Sequence, residues 1–116
     1  MMVRIGELAR RTGIAASRIR FYERHAVLPR ALRGGNGYRH YPETAVKLLR
    51  LIDGARRLGF SLSEIRGALS EAAPNFPSRA AMTKALRGKL AGIDRHIAEV
   101  RARRRQIVKL LQDMGG

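Results

Sequence analysis

Arginine, serine and tyrosine crowd three short stretches of the chain, and each stretch suits contact with a polyanion. The first is Ser17-Arg18-Ile19-Arg20-Phe21-Tyr22-Glu23-Arg24. In a major groove an arginine donates two hydrogen bonds to guanine O6 and N7, while serine and tyrosine hydroxyls hold phosphates. Taken alone, the stretch equally suits a solvated basic face. The second stretch gathers Arg30, Arg33, Tyr38, Arg39 and His40 around Gly34-Gly35-Asn36-Gly37. A glycine-rich tip has no core to protect, so its basic residues are free to follow a phosphate backbone. A surface loop with incidental charge is the plain alternative. The third places Arg56, Arg57 and Arg66 about a bend at Gly59-Phe60-Ser61, either as a further phosphate contact or as ordinary surface charge.

The composition points the same way. Lys and Arg number 24 against 9 Asp and Glu, a formal net charge of +15 on 116 residues. Such an excess favours a polyanionic partner, whether DNA, RNA or an anionic membrane surface. The absence of cysteine excludes disulfides, thiolate zinc sites, iron–sulfur clusters and thiol redox switches. His25, His40 and His96 form no spaced metal pair, so neither metal nor cofactor is expected. No apolar stretch approaches the roughly 20 residues of a membrane span. The amino terminus lacks the apolar core of a signal peptide, and a cytoplasmic location is expected. Nothing suggests an enzyme: there is no nucleophile–base set, and the Gly34–Gly37 run lacks the Lys-Ser/Thr of a phosphate-binding loop.

The elements that must position these residues are mainly helical. Ile5, Leu8, Ala9 and Thr12 recur at helical spacing, Gly13 stops that helix, and a second short helix carries Ile19 with Tyr22 or Glu23 on the next turn. Two short helices around Gly13 read as a helix-turn-helix. Asn36-Gly37 beside Tyr38-Arg39-His40-Tyr41 reads as a β-hairpin. Pro42-Glu43 opens a helix over 43–58, with Ala45, Val46, Leu49, Ile52, Ala55 and Leu58 on one face. Ser61-Leu62-Ser63-Glu64 caps a fourth helix. Two prolines in 74–78 form a linker, and Ser78 can cap the last helix, over 79–113, before a short tail at 114–116. In that helix Leu86, Leu90, Ile93, Ile97, Val100, Arg104, Ile107 and Leu111 alternate steps of four and three, an a/d seam broken only by Arg104. A rod near 50 Å long (about 1.5 Å per residue) cannot cover such a stripe against a small domain. A second copy is the expected cover, with a helix folded back on its own domain the alternative.

These residues resemble the MerR family of bacterial transcription regulators. Four segments carry the likeness: Val3-Arg4-Ile5-Gly6-Glu7-Leu8-Ala9 with Thr12-Gly13-Ile14; Ile19-Arg20-Phe21-Tyr22-Glu23-Arg24 with Val27-Leu28-Pro29; Asn36-Gly37-Tyr38-Arg39-His40-Tyr41; and Leu58-Gly59-Phe60-Ser61-Leu62-Ser63-Glu64-Ile65. The resemblance implies a winged helix-turn-helix over 1–73 with a β-hairpin wing, a second wing region around Phe60, and an antiparallel coiled coil joining two subunits. It implies a homodimer on double-stranded DNA at a pseudo-palindromic promoter element whose spacer is bent and underwound, with RNA polymerase as a further partner. By matching position, Arg20, Tyr22, Arg33, Tyr38 and Arg39 are the DNA contacts, with Ser17 and Arg18 at the start of the recognition helix. Arg56 and Arg57 join them from the second bend. Leu86, Leu90, Ile93, Ile97, Val100, Ile107 and Leu111 are the dimer contacts.

The chain also departs from the family. Metal-sensing members place cysteines at the start of the dimer helix and in a loop beyond it. Here Ser78 stands at about the first place, and with Asp113-Met114-Gly115-Gly116 after the helix no such loop is expected. An effector is thus left open: a small ligand near Phe76, Met82 and Arg104, another protein, or none. Two other readings stand beside a sequence-specific regulator: an architectural, excisionase-like DNA binder, and a basic coil that binds RNA or an acidic partner.

Overall fold

The computed structural model describes residues 2–28, 32–33 and 39–116. The elements run β1 (Met2–Arg4), α1 (Ile5–Thr12), α2 (Ala16–Arg24), β2 (Leu32–Arg33), β3 (Arg39–Pro42), α3 (Ala45–Arg57), α4 (Leu62–Ala72) and α5 (Arg79–Asp113). They fall into two compact units, one through Pro77 and one from Ser78 onward.

The first unit is built on short helices whose stops are written into their last residues. Gly13 takes φ 74° at the end of α1, in the left-handed region where a side chain is strained, and its N–H caps the Ala9 carbonyl. Thr12 Oγ1 donates to the Leu8 carbonyl at 2.8 Å and accepts from the Ile14 N–H at 3.2 Å, tightening the same corner. Gly59, at φ 94°, makes the corresponding bend after α3. Next, Ser61 and Glu64 exchange side-chain and backbone hydrogen bonds at 3.0 Å each, a reciprocal cap on α4.

Apolar faces of these helices converge on one core. Leu8 of α1, Ile19 of α2, Tyr41 of β3 and Leu49 and Ile52 of α3 are fully enclosed. The sheet has the order β1-β3-β2 and is antiparallel throughout. Val3 pairs with Tyr41, which puts both buried side chains in one cross-strand pair. Arg11 of α1 donates to Glu43, in the turn before α3, at 2.6 Å, a contact that holds the Glu43 carboxyl below the usual carboxylate range. Arg50 of α3 donates to the Arg11 carbonyl at 2.9 Å.

Two features differ from the sequence expectation. A third strand, β1, precedes α1, where only the helix was expected. Pro42 closes β3 opposite Met2, so α3 begins at Ala45 and not at Glu43.

The second unit is α5, 35 residues long. Ser78 caps it, its Oγ accepting from the Ala81 N–H at 3.1 Å. No residue of α5 is buried. Leu86, Leu90, Ile93, Ile97, Val100, Ile107 and Leu111 are all exposed, together with Met82 and Leu110.

Because Leu49 is fully enclosed at the centre of the first unit, Leu49→Ala is expected to cost about 2–5 kcal/mol of stability. Denaturant unfolding of the first unit measures this. A loss well under about 1 kcal/mol would place the core elsewhere.

Candidate nucleic-acid interface

The two faces of α2 are chemically opposite. Ile19 and Tyr22, three residues apart, turn inward and are buried. Ser17, Arg20 and Arg24, at steps of three and four, stand exposed on the far side. Among the described residues neither Arg20 nor Arg24 has an ion-pair partner, so their guanidinium groups have donors available for a ligand. A short helix anchored by one face and cationic on the other, following a tight turn after α1, is the form in which a helix-turn-helix offers a helix to a major groove.

Tyr22 departs from its expected role as a DNA contact. Only 3% of the residue is exposed, and its hydroxyl donates to Asp53 Oδ1 at 2.8 Å. Burial, then the bond to Asp53, pushes its pKa up to about 12. The hydroxyl therefore remains a proton donor at neutral pH, and Tyr22 is a core residue that fastens α2 to α3. Its step of three from Ile19 was the available signal.

Asp53 was not among the expected site residues. It is 5% exposed, the one charged residue buried among those described. Besides Tyr22 it meets Arg18 Nη1 at 3.3 Å on Oδ1 and Arg57 Nη2 at 3.1 Å on Oδ2. A buried carboxylate survives because each of its oxygens has cationic or hydroxyl partners. The signal in the sequence was an acid on the inward face of α3, seven residues after Val46 and four after Leu49.

The structure brings Arg18, Arg56 and Arg57 together. With Phe21, Tyr22 and Asp53 they line a recess of about 260 Å³ between α2 and α3. Arg56 Nη1 donates to the Phe60 carbonyl at 3.2 Å and so steadies the bend before α4. Arg66 is engaged internally instead: its Nε and Nη2 donate to the His25 carbonyl at 3.0 and 2.6 Å, tying α4 to the end of α2. Arg33 of β2 and Arg39 of β3 are register partners in the antiparallel strand pair. Tyr38 and Arg30 lie outside the described residues. A separate hollow of about 570 Å³ lies in the first unit, where Val27, Leu48, Leu69 and Phe76 line it together with Glu23, Arg24 and Arg66.

The raised Tyr22 pKa carries a pH signature. A proton bound more tightly in the folded chain stabilises it fully below the ordinary tyrosine value of 10.0, and that stabilisation is lost as pH rises towards about 12. Stability followed by denaturant unfolding is expected to fall across that window, and to fall less in Tyr22→Phe. An identical alkaline decline in both proteins would remove Tyr22 from the linkage.

Comparison with known proteins agrees with this geometry. Residues 3–72 match the family described as MerR HTH family regulatory protein, and residues 46–110 match the one described as MerR, DNA binding. The chain is similar to the HTH-type transcriptional regulator HmrR of Rhizobium leguminosarum bv. viciae, 38% identical over 112 residues, covering 97% of this chain and 86% of that one. It is also similar to the HTH-type transcriptional regulator CueR of Salmonella typhimurium, 37% identical over 114 residues, with 97% and 81% covered. Its fold is like that of the transcription regulator PbrR691 from Ralstonia metallidurans CH34 in complex with lead(II), with a TM-score of 0.74 at 27% identity over 95% of this chain and 86% of that one. HiNmlR, a MerR family regulator lacking the sensor domain and solved bound to promoter DNA, shares the fold with a TM-score of 0.66 at 22% identity, covering 87% and 76%. With the family matched over most of its length, the chain belongs to the MerR family of DNA-binding transcription regulators.

Proposed function

We propose that two copies of the chain pair through α5 in an antiparallel coiled coil and bind a pseudo-palindromic promoter element, bending and underwinding its spacer so that both promoter elements face RNA polymerase. The observation that carries this reading is the two-faced α2, seated by Ile19 and Tyr22 and cationic on its outer side. Ser17, Arg18 and Arg20 are its reading residues, Arg33, Tyr38 and Arg39 its hairpin-wing contacts, and Arg56 and Arg57 its contacts from the second bend. Support for the pairing comes from α5, whose apolar seam is exposed along its length. An exposed apolar stripe of this extent in water is a surface that another protein surface should cover. Leu86, Leu90, Ile93, Ile97, Val100, Ile107 and Leu111 are its seam.

Bending a DNA site of this size costs on the order of 1–6 kcal/mol. Contacts from both reading helices and both wings must offset it, which a single copy cannot supply. The net charge of +15 provides the sequence-independent part of the affinity and makes it depend steeply on salt. The function is one of binding and not of catalysis, and its place is with the chromosome in the cytoplasm. No helix among the described residues is long and apolar enough to cross a membrane. The architectural alternative is less favoured, since it has no use for a 35-residue pairing rod.

Two substitutions test the reading. Arg20→Ala is expected to weaken binding to a duplex selected from a random pool by about 1–3 kcal/mol, with little loss on a scrambled duplex. Equal affinity of wild type and variant for the selected duplex would take Arg20 out of the readout. Ile97→Glu is expected to yield monomers in analytical ultracentrifugation and to abolish binding to symmetric sites. Persistence of the dimer would mean that another surface joins the copies.

A further inference from the structure

Among the described residues one charged side chain, that of Asp53, is buried in the first unit. A chain this rich in cations places Asp53 in the seam between α2 and α3. An apolar residue of similar size would fill that seam without the cost of burying a charge. What the carboxylate adds is direction. The bond from Tyr22 arrives from the inner face of α2, and the bond from Arg18 arrives one turn earlier on the same helix. Two attachment points four residues apart resist rotation of α2 about its own axis, which apolar contact alone does not. That rotation determines which side chains face outward from Ser17 to Arg24.

The carboxylate also orients its cations. The side chains of Arg18 and Arg57 are 56% and 76% exposed, yet each touches Asp53 through one nitrogen. A guanidinium has five N–H donors in a rigid fork, so one tethered nitrogen leaves donors that Asp53 does not engage. Arg18 comes from α2 and Arg57 from α3, and Asp53 holds both at the rim of one recess. Arginines already held in place lose less freedom when they meet a phosphate or a base.

We propose that Asp53 is a specificity-determining positioning residue: it fixes the rotation of α2 through Tyr22 and pre-aims Arg18 and Arg57, so that it sets which DNA sequence is preferred without touching DNA itself. This rests on the reading of α2 as the DNA-facing helix. Asp53 contributes negative charge, so it lowers affinity for DNA in general while raising it for the matching sequence. That opposition separates a positioning role from a merely structural one. A residue needed only for folding changes both affinities by the same factor.

The experiment uses the full chain with Asp53→Asn and Tyr22→Phe, a duplex selected by the wild type from a random pool, and a scrambled duplex of equal length. Binding to both is measured across a salt series, and folding is followed by thermal melting. For Asp53→Asn, affinity for the selected duplex is expected to fall about tenfold or more, the size of one lost base contact, while affinity for the scrambled duplex holds or rises. Reselection with the variant is expected to return altered bases under α2. Equal loss on both duplexes, or an unchanged ratio with an unchanged selected sequence, overturns the proposal. Should Asp53→Asn melt below the assay temperature, Tyr22→Phe keeps its ring in the core and carries the test alone. Its ratio must then fall by about threefold or more, and a ratio equal to the wild type's overturns the proposal. A wild type that selects no sequence contradicts the DNA-reading assignment itself, a different result from either of these.

Discussion

The seating of α2 in the core, with its side-chain tie to α3 through Asp53, is the arrangement on which the rest of the first unit's surface depends. Ile19 and Tyr22 go into the core beside Leu49 and Ile52, and burial of each such side chain is worth about 1.5–3 kcal/mol. Because those two positions are committed inward, Ser17, Arg20 and Arg24 are left exposed on the other face. The exposed cationic surface is therefore a consequence of core packing. The same seat carries a hydrogen-bonded carboxylate, which adds an angular constraint that hydrophobic burial lacks. Around it, the bond from Arg66 to the His25 carbonyl and the bond from Arg56 to the Phe60 carbonyl fix the ends of the neighbouring helices.

The second unit faces the opposite problem. Nothing on α5 is buried, although its apolar residues follow a regular seam. Pairing of two copies along it, as proposed here, removes that surface from water. Pairing also brings together two chains of strong like charge, and their repulsion falls when a polyanion neutralises both. Association of the copies and binding of DNA would then favour each other, and a symmetric duplex would engage two reading helices at once.

Much of this organisation is legible in the residues, because the decisive patterns are local. The spacing of Val46, Leu49 and Ile52 marks the inner face of α3, and the Ser61–Glu64 and Ser78 caps mark the starts of α4 and α5. Elements that depend on distant partners are harder to read. β1 has three residues, too few for an alternating pattern, and exists because β3 pairs with it. Pro42 looks like a helix start, yet it ends a strand opposite Met2. Tyr22 sits in a basic stretch that suggests a surface, while its step of three from Ile19 points inward, and packing follows the step. Asp53 reads as an ordinary surface acid until its place on the inward face of α3 is weighed against the basic composition of the chain.

Paired cationic helices, as proposed here, read a symmetric duplex. Hydroxyl-radical footprinting of the full chain on a duplex selected from a random pool, with the stoichiometry measured on the same complex, tests it most directly. Two chains per duplex and protection related by a two-fold axis, with two matched half-sites on opposite sides of a central spacer, is the predicted result. One chain on a single unsymmetrical patch, or protection spread evenly along any sequence, would contradict it.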